Sequence, residues 1–288
     1  MRLLLAVIIV LALGIPPAGA LDPGQADGLL IVADSRIPLK HAYATLYGNE
    51  EGMLEGPELR ILLTDRKVPQ TILSGPILDR LDALARDDQV RGVLLRLDPA
   101  APKDSAVSGT LLVAPSEPQA SLTFFSTKTT GGQGSFDALD VSGNRVVGQT
   151  KLTMPGDDST ESFEYRAGFS APLFRDEVTS RVKGDEARSH PAAQTMLAWN
   201  EAMRKADFSA LRELSAADKY QELQAFRTEV GEQAFLLIVA SEATPTDQLR
   251  QQITEVIVRG DRAFIMMEGD DTRSVAMASR QGERWVID

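Results

Sequence analysis

The chain has 288 residues, a formal net charge of −11 and no cysteine. The acidic balance argues against nucleic acid, whose phosphates require clustered Lys and Arg, and against anionic membrane surfaces. With no disulfides available, stability has to come from apolar burial, and a length beyond the usual ~100 to 200 residues per domain leads us to expect two domains.

Residues 1–20, MRLLLAVIIVLALGIPPAGA, carry one positive charge at Arg2, an apolar run and a small-residue ending with Ala18 and Ala20 at A-x-A spacing. This is the pattern of a secretory signal peptide, cleaved between Ala20 and Leu21. Gly14, Pro16 and Pro17 end the apolar run, which stops well short of the roughly 20 residues a spanning helix needs. No cysteine follows for lipid attachment. The expected product is secreted or periplasmic, without a stable membrane anchor. Losing Arg2 takes the formal charge from −11 to −12.

From 21 to 187 the punctuation is that of a β-rich domain, with short apolar runs between Gly, Pro, Ser and Asp clusters. Strands are expected at 28–32, 37–47, 60–64, 92–97, 109–113 and 121–127. A hairpin follows over 136–153, turning at 142–144, and then a strand over 163–169 in which Phe163, Tyr165, Ala167 and Phe169 alternate with other residues. Between them, Ile77, Leu78, Leu81, Leu84 and Ala85 repeat at helical spacing, which predicts a helix over 74–88 with Ser74 as cap. The expected architecture is a mainly-β sandwich or open barrel carrying one short helix.

From 188 to 288 the order is helices first, strands second. Ala192, Met196, Trp199 and Met203 share a helical face over 190–207, with Pro191 in the first turn. Further helices are expected at 208–214 and 217–230, stopped by Gly231, and strands at 234–243, 251–259, 262–268, 274–280 and 283–288.

That order, with the segments EVIVRGDRA (255–263) and GERWVID (282–288), resembles the nuclear transport factor two-like superfamily over the last hundred residues or so. The resemblance implies an α+β cone in which a curved antiparallel sheet wraps the long helix around a pocket, and often a homodimer formed through this domain. It does not imply one activity, because the superfamily holds isomerases, dehydratases, hydrolases and noncatalytic modules. The upstream half resembles no family of known activity.

Catalytic relatives use a buried general base, often a carboxylate, whose pKa is tuned by burial. Candidates are Tyr220, Glu222, Glu242, Glu255, Glu268 and Asp270. Glu255 and Tyr220 are the leading acid or base, Glu255 because Ile253 and Ile257 flank it at strand period and would set it on an apolar face. Met196, Trp199, Met203, Met267, Met277 and Trp285, with Met266 alongside, would line a pocket for a small apolar ligand or serve as core. Arg259-Gly260-Asp261 spells a receptor-binding tripeptide, but Gly-Asp between alternating strands is also what a glycine-first hairpin turn requires.

His41 and His190 are the only histidines and lie in different halves, so neither a zinc cluster nor a His-Asp dehydration pair is expected. Asp157, Asp158 and Glu161 lack the glycine-centred spacing of a calcium loop. There is no phosphate-loop motif or Gly-x-Ser-x-Gly elbow, and no cofactor is expected. The leading expectation is a noncatalytic accessory protein of the cell envelope that binds a small apolar ligand or an envelope protein. The alternative is a small-molecule isomerase, dehydratase or hydrolase acting in the C-terminal cone.

Overall fold

A computed structural model describes residues 21–50, 52, 56–75, 77–104, 106–113, 122–128, 136–155, 162–242, 244–269 and 272–288. Ala18, Ala20, Asp157, Asp158, Glu161 and Asp270 lie outside them, as does the side chain of Glu242; Leu21 is the first described residue. The described chain is sheet-rich with seven α-helices, and it divides into two compact units.

The first unit comprises residues up to Tyr47 and Gly56–Arg175. Its strands are β1 (Gln25–Val32), β2 (Ser35–Tyr47), β3 (Glu58–Thr64), β4 (Gly92–Leu97), β5 (Ala106–Leu112), β6 (Leu122–Lys128), β7 (Phe136–Ser142), β8 (Arg145–Met154) and β9 (Phe163–Asp176). All nine form one antiparallel sheet in the order β6-β5-β4-β3-β2-β1-β9-β8-β7. The sheet is therefore a single curled half-barrel, which decides between the sandwich and open barrel expected from sequence.

Chain length requires the curl. The two edge strands, β6 and β7, are consecutive in the chain, and a flat nine-stranded sheet would hold them about 38 Å apart at ~4.8 Å per strand. Lys128 and Phe136 are separated by only eight residue steps, which reach at most about 29 Å. One apolar cluster draws on all nine strands, including Leu30, Leu39, Ile61, Leu95, Leu111, Phe125, Phe136, Val146 and Phe169.

The middle of the sheet is covered on its other face as well. Leu62, Leu94 and Leu112 pack against Leu73, Ile77, Leu81 and Ala85, which come from a 3-10 turn (Gln70–Leu73) and helix α1 (Leu78–Arg86). Double coverage explains the consecutive apolar residues Ile61–Leu63 of β3 and Val93–Leu95 of β4. Ser74 does not cap α1 by its side chain. The N-cap is Ile77, and the Ser74 carbonyl instead accepts from the Arg80 guanidinium. Arg145 on β8 donates to the Leu21 carbonyl at 2.9 Å and to Ser170 Oγ at 2.8 Å, tying Leu21 to the sheet.

The second unit is Asp176–Asp288 together with the segment Gly48–Glu55. Its sheet runs β10 (Ser180–Lys183), β11 (Ile253–Arg259), β12 (Arg262–Glu268), β13 (Arg273–Gln281) and β14 (Arg284–Ile287), antiparallel and in chain order. The expected division at 187/188 therefore differs from the observed one. β10 pairs with β11 seventy residues later, and that pairing carries 180–183 into the second unit.

Its helices are α2 (Gly184–Ser189), α3 (Pro191–Lys205), α4 (Phe208–Leu214), α5 (Ala217–Val230), α6 (Glu232–Glu242) and α7 (Thr246–Gln252). The strand expected at 234–243 is helix α6 instead. The run Ala234 to Ala240 is apolar without a period, so pattern alone does not separate a buried strand from a helix. Among the described residues no helix is long and apolar enough to cross a membrane.

Candidate functional site

Helix α3 lies on one face of the second sheet. Small side chains at Ala187, Ala192, Ala193, Ala263 and Ala278 permit close approach, and Met196, Leu197, Val256, Val258, Ile265 and Ile287 fill the interface. Trp199, Met267 and Trp285 pack against this core. Trp199 Nε1 donates to Ser215 Oγ at 2.9 Å, which satisfies the indole and ties α3 to the end of α4.

The other face carries Ile257, Phe264 and Met266, with Val275 and Met277 packed on them. The six residues expected to line one pocket are therefore divided. Met196, Trp199, Met267 and Trp285 belong to the α3 side, Met277 belongs to the opposite face, and Met203 is a half-buried residue outside both clusters.

Glu255 is on the face of Ile257, not of Ile253. The register of β11 against β12 slips between Ile253, opposite Met267, and Glu255, opposite Met266. This bulge inserts Thr254 and cancels the strand period on which the expectation rested. Ile253 thus joins the α3-side core with Val256, whereas Glu255 looks away from α3.

Its carboxylate takes both Arg181 nitrogens, Nε on Oε1 and Nη2 on Oε2 at 3.1 Å, with Lys183 Nζ at 3.7 Å from Oε1. The Arg181 hydrogen bonds, then the charges of Arg181, Lys183 and Arg273, hold its pKa below the ordinary glutamate range against the opposing effect of burial. A general base near neutrality needs the reverse shift. Tyr220 lies half-buried on α5, a helix that packs with α4 and α6 and not with Glu255's strand.

Arg259 closes the same strand and is 3% exposed. Its guanidinium donates to the Asp176 carbonyl and pairs with Glu50 of the 48–55 segment. Burial pulls its pKa down to about 10, which leaves it charged at neutral pH. Gly260, at φ +56°, and Asp261 form the two-residue link between Arg259 and Arg262. The positive φ is what requires glycine there. With its arginine committed inside the unit, the tripeptide works as turn and anchor.

His190 has a structural task. Its Nδ1 accepts the Ala192 backbone N–H at 3.2 Å and caps α3, with the imidazole 5.9 Å from the Trp285 ring. Burial lowers its pKa. Among the described residues no group of three His, Asp or Glu side chains is placed to hold a metal ion. In the first unit, sequence reasoning passed over Arg60 and Arg96, two arginines directly opposite each other on β3 and β4. Their signal was a charged residue within each of the apolar runs RILL and VLLRL.

No family model matches the chain, and neither the curated proteins nor the solved structures contain a match to it.

Proposed function

We propose that this is a noncatalytic, exported accessory protein of the cell envelope, in which a curled β unit and a nuclear transport factor two-like α+β cone serve as binding modules for a small apolar ligand or an envelope protein. The observation that carries the reading is the state of Glu255. The leading acid–base candidate is held ionised by Arg181 and Lys183 on the face away from α3. Four of the six residues that would line a cone pocket, Met196, Trp199, Met267 and Trp285, are used as packing around α3, which favours a protein partner over an enclosed substrate.

The alternative is an isomerase, dehydratase or hydrolase with Glu255 or Tyr220 as its base. Purified protein and its Glu255→Gln and Tyr220→Phe variants, assayed on ketosteroid, hydroxy-acid and ester substrates, decide between them. No turnover that depends on either side chain is expected. Turnover abolished in a folded variant overturns the proposal. N-terminal sequencing of the exported product tests the envelope assignment, with Leu21 expected as first residue; a membrane-bound product still beginning at Met1 removes it.

A further inference from the structure

A transverse row of polar side chains crosses the first unit's sheet on the face opposite its apolar interior. Direct cross-strand pairing places Thr45, Arg60, Arg96, Ser108 and Ser126 side by side on β2, β3, β4, β5 and β6. Like charges directly opposite on adjacent strands repel, so two neighbouring arginines need compensation. Among the described residues, the carboxylate paired with both arginines is that of Glu58. Its Oε2 accepts from Arg60 Nε at 2.9 Å, and its Oε1 stands 3.6 Å from Arg96 Nη1.

The two arginines differ in how far they are satisfied. Arg60 also donates from Nη1 to the carbonyls of Leu73 (2.7 Å) and Gly75 (2.5 Å), and it stacks 4.0 Å from the Tyr47 ring centroid. Among the described residues, Arg96 has only the long ion pair. Its Nε is buried without a hydrogen-bond partner, as are the hydroxyls of fully buried Thr45 and Thr110, the latter one pair along β5 from Ser108 on the same face. Buried donors left unmade each cost free energy. The Arg96 side chain is still 18% exposed, and the adjoining Ser108 and Ser126 are open to solvent.

We propose that Arg96, flanked by Thr110, Ser108 and Ser126, is a binding site for a small oxyanion, the carboxylate or phosphate group of a ligand entering over β5 and β6. Two adjacent oxygens match the fork of a guanidinium. The two arginines and Glu58 leave a local charge of +1 on a chain whose net charge is −11, and one bound anion neutralises it. The site lies within the first unit and does not depend on the reading of the second. Its failure would leave the proposed function standing.

Isothermal titration of the full exported protein with inorganic phosphate, and separately with acetate, at ionic strength fixed by chloride, tests the site. Saturable binding of at least one probe is expected, and the stronger probe identifies the class of group. Arg96→Gln should weaken it by about tenfold or more, and Ser108→Asp, which puts a like charge at the mouth, should do the same. No saturation by either probe overturns the proposal, and so does unchanged affinity in folded Arg96→Gln. Should circular dichroism show Arg96→Gln unfolded, Ser108→Asp decides, with unchanged affinity again overturning it.

Discussion

The ring of Phe125 lies 5.2 Å from that of Phe163, centroid to centroid, although their strands, β6 and β9, stand six places apart in the sheet. Tyr165, two residues along β9, is 6.1 Å from the same ring. An edge strand thus returns across the interior to pack on a strand it does not pair with. The curl is fastened by aromatic contact where backbone pairing is absent.

Glycine makes room for that ring. Gly109 stands directly opposite Phe125, and a Cβ there would fall 2.0 Å from Phe125 Cζ. Gly148 repeats the device beneath Phe169, its cross-strand partner. We expect Gly109→Ala to destabilise the first unit by about 1 to 3 kcal/mol through overpacking. Phe125→Leu should cost about 1 to 2 kcal/mol alone and less in the Gly109→Ala background. Urea denaturation of the two single variants and the double variant measures the coupling, and strict additivity would show that Gly109 and Phe125 are independent.

Arg60 should matter more for stability than its position in a strand suggests. It holds two carbonyls at the end of the 3-10 turn and stacks on Tyr47, all in the buried layer outside the sheet. Arg60→Met removes the guanidinium hydrogen bonds to those carbonyls and to Glu58, so a loss of about 2 to 4 kcal/mol is expected. Arg60→Lys should recover little, because a single ammonium cannot reproduce the fork. Thermal melts of the three proteins check the order.

Where one face of a strand is wet or both are covered, the sequence states it. Alternation in 163–169 located β9, and the apolar run 93–95 coincides with the middle of β4, buried on both faces. Four features left no such trace. The bulge at Thr254 is a single extra residue whose effect appears only in the register with β12. Helix α6 arises from an aperiodic run with Leu237 still 73% exposed, so composition there misstates burial. Pairing of β10 with β11 and the grouping of 48–55 with the second unit depend on contacts between residues distant in the chain. Glu255, the leading site candidate, lost Ile253 as a same-face neighbour for the first reason, and Arg96 was missed for the last: Glu58, Ser108 and Ser126 reach it from β3, β5 and β6 only through strand pairing.

The cap on α3 should make the second unit sensitive to mild acid. Nδ1 of His190 accepts a hydrogen bond only when that nitrogen is unprotonated, and burial has already lowered the pKa below 6.5. Because the folded pKa is depressed, the contribution is complete above 6.5 and is lost as pH falls from there through the folded value. His190→Asn keeps an acceptor and removes the titration, so its melting temperature should fall less than wild type between pH 7 and 5. His190→Ala should lose about 1 kcal/mol already at pH 7. His41 is shifted in the same direction by burial, Lys67 and Lys40, and a His41→Asn control separates its share. Equal slopes in wild type and His190→Asn would deny the cap its role.

Glu255 governs a more acidic window. Its pKa is depressed below 4.5, first by the Arg181 hydrogen bonds and then by the charges of Arg181, Lys183 and Arg273. The sign follows directly: the stabilisation is fully present above 4.5 and is lost as pH drops through the lower folded value. Glu255→Gln removes the charge but keeps the shape. It should cost about 1 to 2 kcal/mol at pH 7, because Arg181 then keeps a weaker, neutral acceptor. Its stability should also decline less than wild type between pH 5 and 3. Arg181→Met should give a similar loss at pH 7, and the double variant should lose less than the sum, since either change breaks the same pair. Denaturant titrations at pH 7, 5 and 3 resolve both effects. Glu255→Gln matching wild type at all three would mean that the ion pair on the β10–β11 ladder contributes nothing to folding, and would reopen the question of why this carboxylate is kept charged.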